Sequence, residues 1–402
     1  MSNDTTSSTA MYKRVYGEES DLFKEQQNLV CVSWKKFKLS PLKLSPQGTI
    51  GIVNMSGNEV GGPINETQAF QDPGNYNPQN PIVLPKTNVV PVTITGNAIE
   101  LSKSNVQAFA ATQDQVMQDG MKRLLSSINF QGLNKGTGQL STANGAGAPS
   151  ASLIVNNPLP FRRGMKIDLW TAVGGTKEVS GATVSAVSYS TSTLTLDTTY
   201  TWTSGDIIVP YTVLDGISST AAGKAITGLQ AICDTTTYST TFEGLAVSTN
   251  PEWQGNVVSA GTVPVSQDLL QQTYNRARAV GGGNPDFLIS NYGQPRTFMN
   301  SELQKTRYEA GEVKGGATVL KWMSMEWLID KDYDISEVGF YDLENIEKLQ
   351  TREPFLADYS GNTSYQMVGY DQIGMYYKYV ANLATWKRNA HARLTALTEP
   401  TF

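Results

Sequence analysis

Acid–base chemistry at neutral pH most often recruits histidine. This chain of 402 residues has one, His391. It stands in KRNAHARL, a basic segment near the C-terminus that also carries Lys387, Arg388 and Arg393. A Ser-His-Asp triad would have to use His391, and its basic surroundings argue against a catalytic role. A metal site built from several histidines is arithmetically excluded. The two cysteines, Cys31 and Cys233, lie far apart and form no CxxC pair, which argues against a disulfide scaffold and a thiolate metal site and for a reducing compartment.

Three short motifs imitate binding loops and fail on position. Gly281-Gly282-Gly283 follows a helical pattern and precedes an apolar one. A phosphate cradle needs the reverse order, so that a helix N-terminus faces the anion. The run reads as a helix stop, with the first glycine at the left-handed cap. Asp330 to Asp334 (DKDYD) starts like a calcium loop, but Ile335 and Tyr341 stand where glycine and a carboxylate are required. A solvated turn is the simpler expectation. Gly223-Lys224 lacks both Walker anchors, because Ser218 and Ala225 occupy those positions. The basic clusters Arg162-Arg163 and Lys387-Arg388-Arg393 read as solvated or salt-bridged faces. We therefore expect no catalytic, cofactor-binding or metal-ligating residue.

The composition bounds the rest. Charged residues make up 17% and hydrophobic ones 39%, which suits a strand- and loop-rich globular chain with ample core. The net charge of -5 excludes bulk electrostatic attraction to nucleic acid. The polar start MSNDTTSSTA resembles no signal peptide, and no apolar run is long enough to span a membrane. The expected product is soluble and made in a cytoplasm.

Along the chain, residues 1–30 read as an extended polar arm. Alternation at Val30, Val32 and Trp34, and at Ile50 and Ile52, predicts strands. Residues 61–91 are dense in proline and glycine and read as a long loop of the kind a partner stabilises. Val106, Phe109, Val116, Met117, Leu124 and Ile128 share one helical face, predicting a helix over about 104–130 with a Ser104–Gln107 capping box. Residues 132–150 read as a Gly-rich linker. From 151 to 215 short strands predict a small inserted barrel or sandwich. Beyond it, helix 266–280, strand 286–290, and the strands MEWLID, VGFYDL and YQMVGYDQIGMYYKYVANLATW are expected. QPRTFMNSELQKTRYEAG and DLENIEKLQ read as helices. The mixture without βαβ repeats is α+β.

This order of parts resembles the major capsid protein of tailed double-stranded-DNA bacteriophages. GLQAICDTTTYSTTFEGLAVSTNPEW resembles the family's segment leading into its axial domain. QDLLQQTYNRARAVGGGNPDFLISNYGQPRTFMNSEL resembles its helix, glycine turn, strand and helix. The resemblance implies an N-terminal arm (1–40), an extended β loop (41–98), and a spine helix with the start of a peripheral domain (99–150). It then implies an inserted β-barrel-like domain (151–215), an axial domain with peripheral segments (216–360), and a returning peripheral strand (361–402). The implied role is structural, in hexamers and pentamers of an icosahedral virion head assembled in the host cytoplasm and enclosing double-stranded DNA. Its implied partners are further copies, a separate scaffold, a portal and cement proteins, with no membrane and no sequence-specific DNA contact. Some members join a lysine to an asparagine between subunits, and we match neither Lys86 nor Lys35, Lys36, Lys38 and Lys43 to that reactive position. Two other readings stand beside it: a tail or decoration protein, and a carbohydrate-binding or hydrolytic surface protein whose paired carboxylates would draw on DKDYD and Glu243.

Overall fold

The computed structural model describes residues 34, 36–55, 65–67, 77–97, 106–211, 213, 224–303, 320–358, 364–366 and 369–398. Most of the expected arm, Ser104 of the expected capping pair, Cys31, Gly223 and the second half of the helix expected over QPRTFMNSELQKTRYEAG lie outside these residues. The chain forms two compact units, each assembled from separated segments. One comprises residues 1–36, 86–130 and 350–381, and the other 37–85, 131–349 and 382–402.

In the first unit, strand β6 (Lys86–Thr95) runs antiparallel to β23 (Gln372–Thr385), in register from Thr95↔Gln372 to Lys86↔Ala381. Short strands β21 (Phe355–Leu356) and β22 (Tyr365–Gln366) also pair with β23. Pro91 has no N–H to donate, and an edge strand such as β6 tolerates that loss. Helix α1 (Val106–Leu133) is 28 residues long, about 42 Å at 1.5 Å per residue, and outruns the expected end. Val116, Leu124 and Ile128 are buried on one face of it, as their spacing required. Gly120 allows the helix close to the strands, since a Cβ there would lie 2.7 Å from Val92 Cγ2. Trp34 and Lys36 have helical rather than strand backbone, and Trp34 Nε1 donates to Tyr379, whose hydroxyl donates to Gln350.

The second unit contains two larger sheets. Strands β7 (Ser141–Thr142), β8 (Gly147–Ile154), β9 (Lys166–Trp170), β10 (Lys177–Ser188), β11 (Thr193–Trp202) and β12 (Ile207–Pro210) pair in the order β7-β12-β9-β10-β11-β8. A bridge between Ala143 and Val155 joins the two ends, with Asn144 N–H donating to Ile154 O at 2.8 Å. The sheet is therefore a closed barrel, filled by Leu153, Phe161, Ile167, Leu169, Val184 and Leu194. It takes strand β7 and the first half of β8 from residues expected to form a Gly-rich linker.

The other sheet comprises β15 (Asn256–Val263), β16 (Phe287–Ser290), β17 (Leu320–Trp322), β18 (Met325–Ile329), β19 (Val338–Tyr341) and β24 (Ala392–Leu397), ordered β15-β24-β19-β16-β18-β17. Helix α3 (Gln267–Gly281) buries Leu270 and Ala277 in the cluster that contains Trp322, Trp327 and Phe340 of this sheet. Ser266 caps the helix by accepting from Leu269 N–H. Helix α4 (Gly293–Leu303) follows β16 and contributes Phe298. The segment DLENIEKLQ departs from expectation. After a single 3-10 turn capped by Asp342 it becomes strand β20 (Ile346–Gln350), parallel to β1 (Lys38–Leu39). Burial of Ile346 and Leu349 three residues apart mimics a helix, and the neighbouring strand overrides that local signal.

Candidate functional site

Arg388, His391 and Arg393 of the basic segment are buried in the second unit and do not form a solvated face. Arg388 begins a 3-10 turn (Arg388–Ala390) and is buried. Its guanidinium donates to the carbonyls of Ile232 (2.7 Å), Trp253 (3.0 Å), Asp234 (2.6 Å) and Tyr238 (3.5 Å) and lies 4.3 Å from the Phe242 ring centroid. Arg393, on β24, bridges Glu337 and the Asp234 carboxylate at 3.0 Å each. The planar fork of arginine, which stays charged when buried, explains this use of the residue type. Burial pushes Glu337 up to about 7, with Arg393 pulling the other way.

His391 Nδ1 accepts from Asp342 N–H at 3.1 Å, so the proton of the neutral ring sits on Nε2, 3.1 Å from Thr385 Oγ1. Burial lowers this histidine to about 4, and Lys387 adds to the effect against Asp342. Cys233 is a free, buried thiol that burial raises to about 12, which removes the thiolate a nucleophile needs. These groups brace the fold and present no reacting atom to solvent.

The remaining motifs resolve locally. Gly282, not Gly281, is the left-handed cap (φ 57°), its N–H donating to Ala277 O and Arg278 O. Gly281 and Gly283 serve close approach, since a Cβ on either would lie 2.0 Å from Asn389 O or 2.4 Å from Ala390 O. Asp330 and Asp334 accept from main-chain N–H groups two residues on and so build a turn. Glu243 turns its carboxyl toward Thr385 N–H and Arg388. The carboxylates considered for hydrolysis thus each face their own surroundings.

What the second unit does present is an apolar ribbon. Strands β2 (Thr49–Ile50) and β5 (Ile82–Val83) pair antiparallel, with Ile50 opposite Ile82, and β3 (Val53–Asn54) pairs with β4 (Pro78–Gln79). One face is anchored: Val83 packs with Leu349, Ala384, Leu44 and Trp386, and Asn382 Nδ2 donates to Leu84 O at 2.8 Å. Alternation then turns Ile50 (59% exposed), Ile52 (73%), Ile82 (39%) and Leu84 (51%) outward. Ile82 and Leu84 converge over Gly48, where a Cβ would lie 2.5 Å from Ile82 Cγ2 and 3.3 Å from Leu84 Cδ2. Grouped exposed aliphatics of this kind mark an interaction surface. The sequence flagged Ile50 and Ile52 as strand residues and held no signal that their side chains stay uncovered.

No family model matches the chain, and no curated protein does. Solved structures do. A chain of the cyanophage A-1(L) capsid asymmetric unit aligns over 98% of this chain and 99% of its own, at 10% identity and TM-score 0.55. The capsid of a native GTA particle aligns over 96% of each chain at 8% identity and TM-score 0.48. The holo-SrpI encapsulin complex of Synechococcus elongatus aligns over 97% and 96% at 9% identity and TM-score 0.44. The first of these likenesses shows that the chain shares the fold of that capsid chain over 98% of its length.

Proposed function

We propose that this chain is the structural major capsid protein of a tailed bacteriophage, not an enzyme. Copies would join as hexamers and pentamers into an icosahedral head that encloses double-stranded DNA, assembled in the host cytoplasm with a scaffold, a portal and cement proteins. The observation that carries the reading is the fold shared over 98% of the chain with a cyanophage capsid protein. A fold hosts several functions, so the surface must also fit. The outward row Ile50, Ile52, Ile82 and Leu84 supports it: covering an aliphatic side chain is worth roughly 1.5–3 kcal/mol, and a closed shell repeats that contact at every subunit. With a net charge of -5, the chain would enclose DNA as a wall and not as an electrostatic binder. The closed barrel formed by β7–β12 fits an inserted module of the axial region. The reading is tested by whether the purified chain closes into shells.

A further inference from the structure

We infer that Glu243 is a proton-controlled latch on the extended loop: its neutral carboxyl seats the turn that grips Ile82, and its ionised carboxylate leaves that seat and frees the strand.

Glu243 and Gly244 form the turn between strands β13 (Thr241–Phe242) and β14 (Leu245–Ala246), and both are left-handed, at φ 49° and 80°. Such a tight hairpin turn ordinarily takes Asn or Gly at the first position, so a glutamate there needs another reason. The turn holds the loop. Glu243 O accepts from Ile82 N–H at 2.7 Å, and Gly244 faces Ile82, where a Cβ would lie 3.7 Å from Ile82 Cβ. The side chain holds the turn. The carboxyl faces the Thr385 N–H, and its Oε2 is buried with no hydrogen-bond partner. The residue after Thr385 is Trp386, whose ring lies against Gly51 of the loop, so both loop strands meet this one seat.

A carboxylate would leave Oε2 charged and unsolvated, whereas a carboxylic acid tolerates the position. The titratable and charged groups facing it are Arg388 and Tyr238. Arg388 spends its donors on four carbonyls, and Tyr238 donates its hydroxyl to Lys135 O. Neither donates a hydrogen bond to Oε2. Burial accordingly raises Glu243 from 4.5 to about 8, with Thr385 N–H and Arg388 opposing. The folded chain keeps a proton that the unfolded chain releases near 4.5. Its stability therefore falls as pH rises across that window, and the latch opens above about 8. Ionised, the side chain rotates toward water and shifts the turn that carries the Ile82 contact. The inference concerns the single chain and stands whether or not the shell reading holds.

The experiment is main-chain hydrogen exchange in the intact chain and in E243Q from pH 6 to 9.5, normalised for intrinsic base catalysis. The expected result is at least a tenfold loss of protection at Ile82 in the parent chain between pH 7 and 9, with protection retained in E243Q. A parallel fall in both proteins, no fall in either, or a loop released in E243Q at every pH would overturn it. Should E243Q fail to fold, carbon-13 titration of glutamate carboxyls in the parent chain decides. A carboxyl with a midpoint near 8 that tracks the Ile82 amide supports the latch, and the absence of such a carboxyl overturns it.

Discussion

The guanidinium of Arg388 donates a 2.6 Å hydrogen bond to the main-chain carbonyl of Asp234, 154 residues away. The same side chain reaches three further carbonyls, of Ile232, Trp253 and Tyr238. One cation thus ties the helix α2 (Leu229–Cys233) region to the segment leading into β24.

Replacing it with methionine keeps the volume and strands those carbonyls without donors. Breaking a buried charged network in this way costs roughly 3–5 kcal/mol. Arg388→Lys should recover only part, because an ammonium cannot present the planar fork. Denaturant midpoints of the parent, R388M and R388K measure the effect, and a loss under about 1 kcal/mol for R388M would refute it.

The single histidine gives an acid-side signature. The unfolded ring binds a proton near 6.5 and the folded ring only near 4, so stability is lost as pH falls from 6.5 to 4. The loss approaches roughly 3 kcal/mol below that window, from about 1.4 kcal/mol per unit. His391→Gln should flatten this segment of the stability–pH curve. With one histidine in the chain, its imidazole resonance is unambiguous and should titrate well below 6.5.

The three glycines should separate by role. Gly282→Asn preserves the left-handed cap and should cost a few tenths of a kcal/mol, whereas Gly282→Ala should cost about 1 kcal/mol. Gly281→Ala and Gly283→Ala drive a methyl group into the main chain at Asn389 and Ala390, and each should cost more than Gly282→Ala. Thermal unfolding of the four variants orders them.

Much of this architecture was legible because its signals are local. The helical pattern and the glycine run after it marked α3, and alternation in GMKIDLW and STLTLDTTYTW marked β9 and β11. The misplaced parts depend on distant chain. Ile346 and Leu349 carry a helical spacing, and only the parallel partner β1 makes that segment a strand. Arg388 looks solvated in sequence because its partners are carbonyls, which no residue type announces. The closure of the barrel through Ala143 and Val155 draws on a stretch whose glycines suggest a linker.

The outward ribbon should separate folding from association. Ile50→Lys and Ile52→Lys replace exposed side chains, so each should leave the unfolding midpoint of the single chain within about 0.5 kcal/mol. The same changes should suppress higher assemblies, as sedimentation velocity would read. Assembly unaffected by the double substitution would remove the ribbon from the contact.

Closure into a shell is the outcome on which the proposed role stands or falls. Negative-stain electron microscopy of the chain, expressed alone and together with its neighbouring genes, tests it most directly. Closed icosahedral shells or sheets of hexamers are expected in at least one of these conditions. Dispersed small particles in every condition, or rings and tubes in place of shells, would contradict it.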